Sequence, residues 1–427
     1  MSWIILIVLL FVLIVARVPV AFSLAIVSII GIASNNIELL SNVPRSIFSG
    51  VNSFTLLAIP LFILAGEIMS RGGMSERLIN FSKNIVGPIP GGLGLVVIIS
   101  SIFFSALTGT AIAAAAAIGG MLIPTMLKEG YDKGFTTSLI ASASTIGPII
   151  PPSIVLILYG VIASVSISDL FIAGILPGLM MAVGLAVYTI IIGKKEGYYL
   201  KNNKVTAKSF FSSFKDAILA ILMPLIIIGG IISGVFTATE SGVIAVVYAL
   251  IISMFVYKEM SFKDFWIVLK STAMTTSSII FLIASASIFI WYINFENIPS
   301  QLMQSMSFAT GNPLLLLLIM NIILLLAGTF IDTISAVTIF TPLFAPMALL
   351  AGIDPVHFGI ILAVNLTIGM VTPPLGVCLF VVSSIAKQKV PSMFKHLIPQ
   401  VAILIVVLFI VTYIPKVILF PVSLLTS

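Results

Sequence analysis

Apolar residues run through this chain in blocks almost from end to end, and those blocks leave few architectures open. They lie near Trp3–Ala16, Val20–Ala33, Leu56–Met69, Leu93–Phe104, Ala111–Leu127, Phe135–Ile146, Ile154–Ala163 and Leu170–Ile192. Others follow near Ile218–Ile232, Val243–Val256, Thr272–Ile293, Leu314–Ala327, Ile334–Leu350, Phe358–Ile368, Val377–Ile385 and Ile398–Leu419. A helix needs about 20 apolar residues to cross a bilayer core, where lipid offers the backbone no hydrogen-bond partner. Only helices or a closed barrel meet that demand, and blocks this long and continuous fit helices rather than alternating barrel strands. Charged residues make up 8% of the sequence, against about 25% in a soluble domain. The expected fold is an all-α polytopic membrane protein. Several blocks are too short to span alone.

Charge placement orients the chain. Basic residues gather in cytoplasmic loops. Arg17; Arg71, Arg77 and Lys83; Lys128 and Lys133; six lysines from Lys194 to Lys215; Lys258, Lys263 and Lys270; and Lys387, Lys389 and Lys395 all fall on one side, leaving only Arg45 and Lys416 outside. The assignment holds on one condition. Leu93–Phe104 and Ala111–Leu127 must enter and leave on the cytoplasmic side as a re-entrant hairpin, and Leu314–Ala327 with Ile334–Leu350 must form another based outside. Both termini then lie outside. The net charge of +6 is thus an orientation signal and gives no reason to expect nucleic acid. No basic stretch precedes the first apolar run, so it reads as an uncleaved helix rather than a signal peptide. The single cysteine, Cys378, excludes a disulfide framework and a thiolate cluster.

The chain also repeats itself. A shift of 222 residues sets Pro124, Leu127, Gly130, Asp132 and Ala141 on Pro346, Leu349, Gly352, Asp354 and Ala363. The same shift sets Thr145-Ile146-Gly147 on Thr367-Ile368-Gly369 and Pro151-Pro152 on Pro373-Pro374. Gly, Pro and Asp are not what chance repeats in apolar sequence. One hairpin opens inward and the other outward, so the repeats are inverted, a plan that places a binding site near the midplane.

Each repeat has two interruptions. The first is a hairpin tip, 105–110 and 328–333. The second is a broken helix, 145–152 and 367–374, where paired prolines remove amide donors and force the helix to stop and restart, with Pro151 or Pro373 suited to the first helical position. Residues before the break leave carbonyls free. With threonine hydroxyls these make a hard oxygen site suited to sodium, expected to draw on Ser105, Gly109, Thr145, Gly147, Gly328, Asp332, Thr367, Gly369 and Thr372. The bland alternative is a pair of proline kinks satisfied by neighbouring helices. Thr110 and Asp332 occupy matched positions, each before a helix, and so are candidate N-caps. Facing helix N-termini suit an anion; Thr108, Thr110, Ser153, Asp332, Thr333 and Ser335 are the candidate substrate residues. No Lys or Arg lies in either tip or break, so a bound carboxylate needs cations to offset its charge. Glu67 and Glu240 also lie in apolar stretches; helix packing or helix ends account for them, with Thr237–Ser241 expected to end a helix outside. The segment Asn202–Asp216, with Phe210, Phe211 and Phe214 among lysines, reads equally as an interfacial amphipathic segment or a solvated loop.

Ile59–Gly66, Ile149–Ser153, Phe330–Ser335 and Gly369–Val377 together resemble the large (M, DctM-like) membrane subunit of tripartite ATP-independent periplasmic (TRAP) transporters, over essentially the whole chain. The resemblance implies an elevator-type sodium symporter of the bacterial inner membrane. It further implies a small membrane (Q) subunit, a periplasmic substrate-binding (P) protein and an organic acid as substrate: a C4-dicarboxylate, a sialic acid or another sugar acid. It leans toward sialic acid. Family tips often read Ser-Gly-Ser; here Thr108-Gly109-Thr110 keeps the hydroxyls and adds methyls. No cofactor is expected beyond sodium as coupling ion. A stand-alone sodium/carboxylate symporter with the same hairpins is the alternative. A membrane enzyme is disfavoured, because His357 and His396 follow no metal motif and no nucleophile–base pair is evident. Capped hairpins would obstruct a passive channel. The expected division is 1–85 scaffold helices; 86–166 first repeat; 167–270 scaffold helices and a lysine-rich loop; 271–307 linking helix; 308–390 second repeat; and 391–427 C-terminal helix.

Overall fold

The structure, a computed structural model, describes residues 3–86, 89–199, 207–305 and 312–425. Among the described residues it is helical without strands. The helices are α1 Trp3–Val15, α2 Val20–Asn35, α3 Asn42–Val51, α4 Ala58–Arg71, α5 Met74–Val86, α6 Gly92–Thr108, α7 Ala111–Lys128, α8 Lys133–Ser144, α9 Ile154–Ala163 and α10 Ile167–Glu196. They continue as α11 Ala207–Ile232, α12 Ala238–Ile251, α13 Phe262–Phe295, α14 Ile298–Ser305, α15 Pro313–Phe330, α16 Thr333–Leu350, α17 Pro355–Gly369, α18 Val377–Ala386, α19 Phe394–Tyr413 and α20 Pro415–Leu425. Nine helical stretches among the described residues are long and apolar enough to cross a membrane. This is a multi-pass membrane protein.

The 222-residue shift carries helix onto helix: α7, Ala111–Lys128, falls on α16, Thr333–Leu350, residue for residue. Matched aspartates open the next helix in each half. Asp132 accepts the Phe135 N–H at 2.8 Å, and Asp354 accepts those of Val356 and His357 at 2.8 and 3.0 Å. His357 is therefore at a capped helix start, and its Nε2 donates to the Val411 carbonyl at 2.7 Å.

Packing sorts the helices into two groups. In the first, α12 lies on α4, α13 on α2, α3 and α4, and α11 on α5 and α12. In the second, the repeats interlock: the hairpin helix α7 packs on α18 of the other half, and the hairpin helix α16 packs on α9. Helices α10 and α19, from the 167–270 and 391–427 stretches, pack with this second group. Apolar contact alone gives helices little reason to associate in lipid, so small residues and polar pairs matter. Helix α19 supplies such pairs to both halves. Gln400 accepts from Ser142 at 2.8 Å and donates to Ser138 at 3.2 Å. Thr412 accepts from Asn321 at 3.0 Å, whose carbonyl oxygen accepts from Asn365 at 2.7 Å.

Two local expectations need correction. The helices do not restart at Pro151 or Pro373. They restart at Ile154, behind the cap Ser153, and at Val377, behind Gly376 at φ +58°. Neither proline can donate or cap, whereas a serine hydroxyl accepts a first-turn amide; both Pro–Pro bonds, 151–152 and 373–374, are cis. The stretch Thr237–Ser241 opens helix α12 rather than ending one: Thr237 and Glu240 form a reciprocal capping box. Of the segment Asn202–Asp216, residues 202–206 lie outside the described part. Phe210 and Phe214 belong to α11 and pack tilted against Phe81 of α5, at 5.8 and 5.6 Å between ring centres.

Candidate functional site

Each hairpin tip is seated on the broken helix of its own half. In the first, Gly109 adopts φ +60°, and a Cβ there would lie 2.7 Å from the Pro152 carbonyl oxygen. Only glycine allows both the turn and the approach. Gly147 of the break rests on the Thr110 carbonyl, which a Cβ would meet at 3.2 Å. In the second, contact is backbone to backbone: a Cβ on Gly369 would lie 2.5 Å from Gly328 Cα. The Gly376 amide donates to the Thr329 carbonyl at 3.2 Å and the Cys378 amide to that of Met370 at 3.1 Å, tying the far side of the break to the tip.

Thr110 caps α7, accepting the Ala113 amide at 3.4 Å, and Asp332 caps α16, accepting the Ser335 amide at 3.1 Å. These two helix N-termini, with their free amides and partial positive charge, meet at one cavity of about 390 Å³. Thr108, Gly109 and Thr110 of the first tip and Asp332 and Thr333 of the second line it, with Pro148 and Met370 from the two breaks. The Thr333 hydroxyl donates to Met370 Sδ at 2.7 Å.

The remaining expected residues lie elsewhere. Ser153 is buried behind the cavity, where its hydroxyl caps α9 and donates to the Pro148 carbonyl. Ser335 lines an adjoining cavity on the other side of the second tip. Thr145, Thr367 and Thr372 sit in the breaks and donate to the carbonyls of Ser142, Val364 and Ile368 at 2.6, 2.9 and 2.8 Å. Having donated, each hydroxyl oxygen keeps lone pairs for a cation. The Ser105 side chain lies outside the described part.

The opposite wall of the cavity comes from the first helix group: Gly66, Glu67 and Ser70 of α4, with Thr275 and Ile279 of α13. Glu67, half-buried, is a site residue that sequence reasoning set aside as helix packing. Its signal was available, a carboxylate one residue beyond the apolar run Ile59–Gly66, where ionisable groups are functional by default. No Lys or Arg lines this cavity, among the described residues.

The sequence matches the family model for the tripartite ATP-independent periplasmic transporter, DctM component, over residues 7–417. The chain belongs to this family. Among its relatives is the sialic acid TRAP transporter large permease protein SiaM of Vibrio cholerae, 38% identical over 94% of each chain. The C4-dicarboxylate TRAP transporter large permease protein DctM of Pseudomonas aeruginosa is 37% identical over 87% of each. The isethionate TRAP transporter permease protein DctMQ of Oleidesulfovibrio alaskensis is 39% identical; the match covers 95% of this chain but 64% of that protein's length. Among solved structures, the YdaH transporter of Alcanivorax borkumensis shares the fold at a TM-score of 0.63 and 14% identity, over 91% of this chain and 90% of that one. The family is that of a transporter component, not of an enzyme, and this DctM-family chain is a TRAP large membrane subunit.

Proposed function

We propose that this subunit carries out sodium-coupled import of an organic acid across the bacterial inner membrane. It receives the acid from a periplasmic binding protein and works beside a small membrane subunit. The observation that carries the reading is the cavity where two helix N-termini from inverted hairpins converge without a basic side chain among the described residues. Helix ends offer only partial charges, so a carboxylate there needs mobile cations, and Asp332 with the hydroxyls and glycine carbonyls behind the tips gives sodium its oxygen ligands. Thr108, Thr110, Asp332 and Thr333 face the substrate. Ser105, Gly109, Thr145 and Gly147 serve one sodium site, and Gly328, Asp332, Thr367, Gly369 and Thr372 the other. Relatives named for sialic acid, C4-dicarboxylate and 2,3-diketo-L-gulonate all take organic acids, and sialic acid is the first substrate to try. The name DctMQ, given to a single chain, supports a small-subunit partner.

In this reading the basic connectors face the cytoplasm and both termini the periplasm. The interlocked helices α6–α10 and α15–α19 move as a body against α1–α5 and α11–α13, as in an elevator. The cavity wall bearing Glu67 is then exchanged during transport, while the tips travel with the substrate.

The test is uptake of radiolabelled sialic acid into proteoliposomes holding this chain and its small subunit. It is run with and without the binding protein and with and without a sodium gradient. Uptake that needs both supports the reading. Uptake with sodium alone makes the chain a stand-alone symporter. Sodium-independent uptake of the acid overturns the coupling. Should sialic acid fail, C4-dicarboxylates and other sugar acids are tried in the same liposomes.

A further inference from the structure

Beside the tip cavity lies a second one that, unlike the first, has a basic side chain in its wall. It encloses about 590 Å³ between the α1–α2 turn, α13 and the far side of the second hairpin tip. The two cavities share Ile279, Asp332 and Ile334, so the tip of the second hairpin is their common wall. The tip cavity carries two carboxylates, Glu67 and Asp332, and no cation among its lining residues. The second carries one cation, Arg17, and the shared carboxylate of Asp332.

Arg17 closes α1 with a left-handed backbone, as Lys387 closes α18. The Arg17 amide donates to the Ile14 carbonyl at 2.9 Å and the Val18 amide to that of Leu13 at 3.0 Å. That pair of bonds closes a helix in a Schellman motif and puts Arg17 at the position glycine takes by default. Its φ is +65°, a left-handed backbone uncommon for any residue with a side chain. What sets Arg17 apart from Lys387 is its place in the cavity wall beside the second tip. That side chain is exposed and has no ion-pair partner among the described residues.

We propose that Arg17 is a second, release-side site for the carboxylate of the transported acid. This rests on the reading of the chain as a sodium-coupled organic-acid importer with Arg17 on the cytoplasmic side. In the tip cavity the anion is held by cations that can leave. Once sodium dissociates, the anion faces Glu67 and Asp332 unscreened and is repelled. The adjoining cavity offers a guanidinium, whose planar donors match a carboxylate. The acid passes around the second tip to Arg17 and from there to the cytoplasm. The site thus binds through sodium and releases through arginine, which gives the exit a direction without adding a fixed charge to the place where the substrate must be carried.

An arginine at a membrane face can also hold an anionic lipid headgroup, through the same chemistry. The experiment separates the two. The complex of this chain and its small subunit is reconstituted in neutral liposomes and, separately, in liposomes with anionic lipid. Exchange of labelled acid gives the half-saturating concentration on the cytoplasmic side, and sodium titration gives the half-saturating sodium outside. Arg17→Gly, which suits the left-handed turn and so folds, is expected to raise the cytoplasmic half-saturation about tenfold in both lipids, the size of one lost charge-assisted contact. Arg17→Lys keeps it within about threefold, and the sodium half-saturation stays at the wild-type value in both variants. An unchanged cytoplasmic half-saturation, or one that shifts together with the sodium value, overturns the proposal. An effect confined to anionic liposomes assigns Arg17 to lipid and overturns it as well. A wild type without sodium-driven uptake of any organic acid removes the functional reading itself, and this proposal with it.

Discussion

The two hairpin tips share one backbone plan and differ in chemistry. At the matched positions Thr110 and Asp332, both side chains cap the helix that follows, through the amide three residues on. One is a neutral hydroxyl and the other a carboxylate. The breaks diverge in the same way. The first restarts behind a serine cap buried within its own loop. The second restarts behind a glycine in the left-handed region, with no side-chain cap. Glycine and proline set the path of the chain twice, while of the two tips only the second carries an ionisable side chain, Asp332. The duplicated geometry makes the cavity, and the asymmetry decides which half holds charge.

The largest expected consequence is at the tips. Asp332→Asn keeps a cap and loses the charge, so sodium-driven uptake should fall at least about 100-fold, the scale of a lost charged ligand in a site of low dielectric. Thr110→Ala should cost about tenfold, the scale of one cap or neutral hydrogen bond. Equal losses in the same proteoliposome assay would break the asymmetry, and full sodium-driven uptake in both variants would remove the proposed roles.

The breaks give the next test. A Cβ on Gly369 collides with Gly328 backbone at 2.5 Å, whereas on Gly147 the nearest atom is the Ser144 oxygen at 3.0 Å. Backbone cannot swing away as a side chain does. Gly369→Ala should therefore reduce uptake about tenfold and Gly147→Ala by no more than about threefold. The reverse order would show that the first tip is the more tightly seated. On the opposite wall, Glu67→Gln removes a carboxylate that repels the anion. The KM for the acid should fall about threefold, as for a single screened charge; a rise would mean that Glu67 is itself a ligand. The smallest effect concerns stability. Asn365 bonds Asn321 in the second half, where the first half has Ala143 at the position matched to Asn365. Asn365→Ala should lower unfolding stability by about 1 kcal/mol, read as a small drop in Tm in detergent; no change would mean that the polar chain contributes nothing to packing.

Much of the fold is legible in the sequence. Bilayer chemistry forces apolar blocks into helices, and the 222-residue shift, carried by Gly, Pro and Asp, is enough by itself to pair α7 with α16. The two tips and two breaks are legible for the same reason: chain reversal and helix breakage are local events with strong residue preferences. The corrections arise where local signals compete. Proline marks where a helix stops, but where it restarts depends on the first residue able to cap, Ser153 in one half. Thr237 looks like a helix end because it is polar, yet with Glu240 it forms a reciprocal box that only opens a helix.

What the sequence by itself determined is thus a helical membrane protein with inverted repeats and two pairs of interruptions, because each of those follows from solvent or from short-range geometry. Tertiary structure alone decided that the repeats interlock across halves and that Ser153 and Ser335 stand outside the tip cavity. It also brought Glu67 to face the tips and Arg17 to the far side of Asp332. Such placements depend on contacts between residues far apart in the chain, and apolar helices of similar composition give no register by which a sequence could announce them.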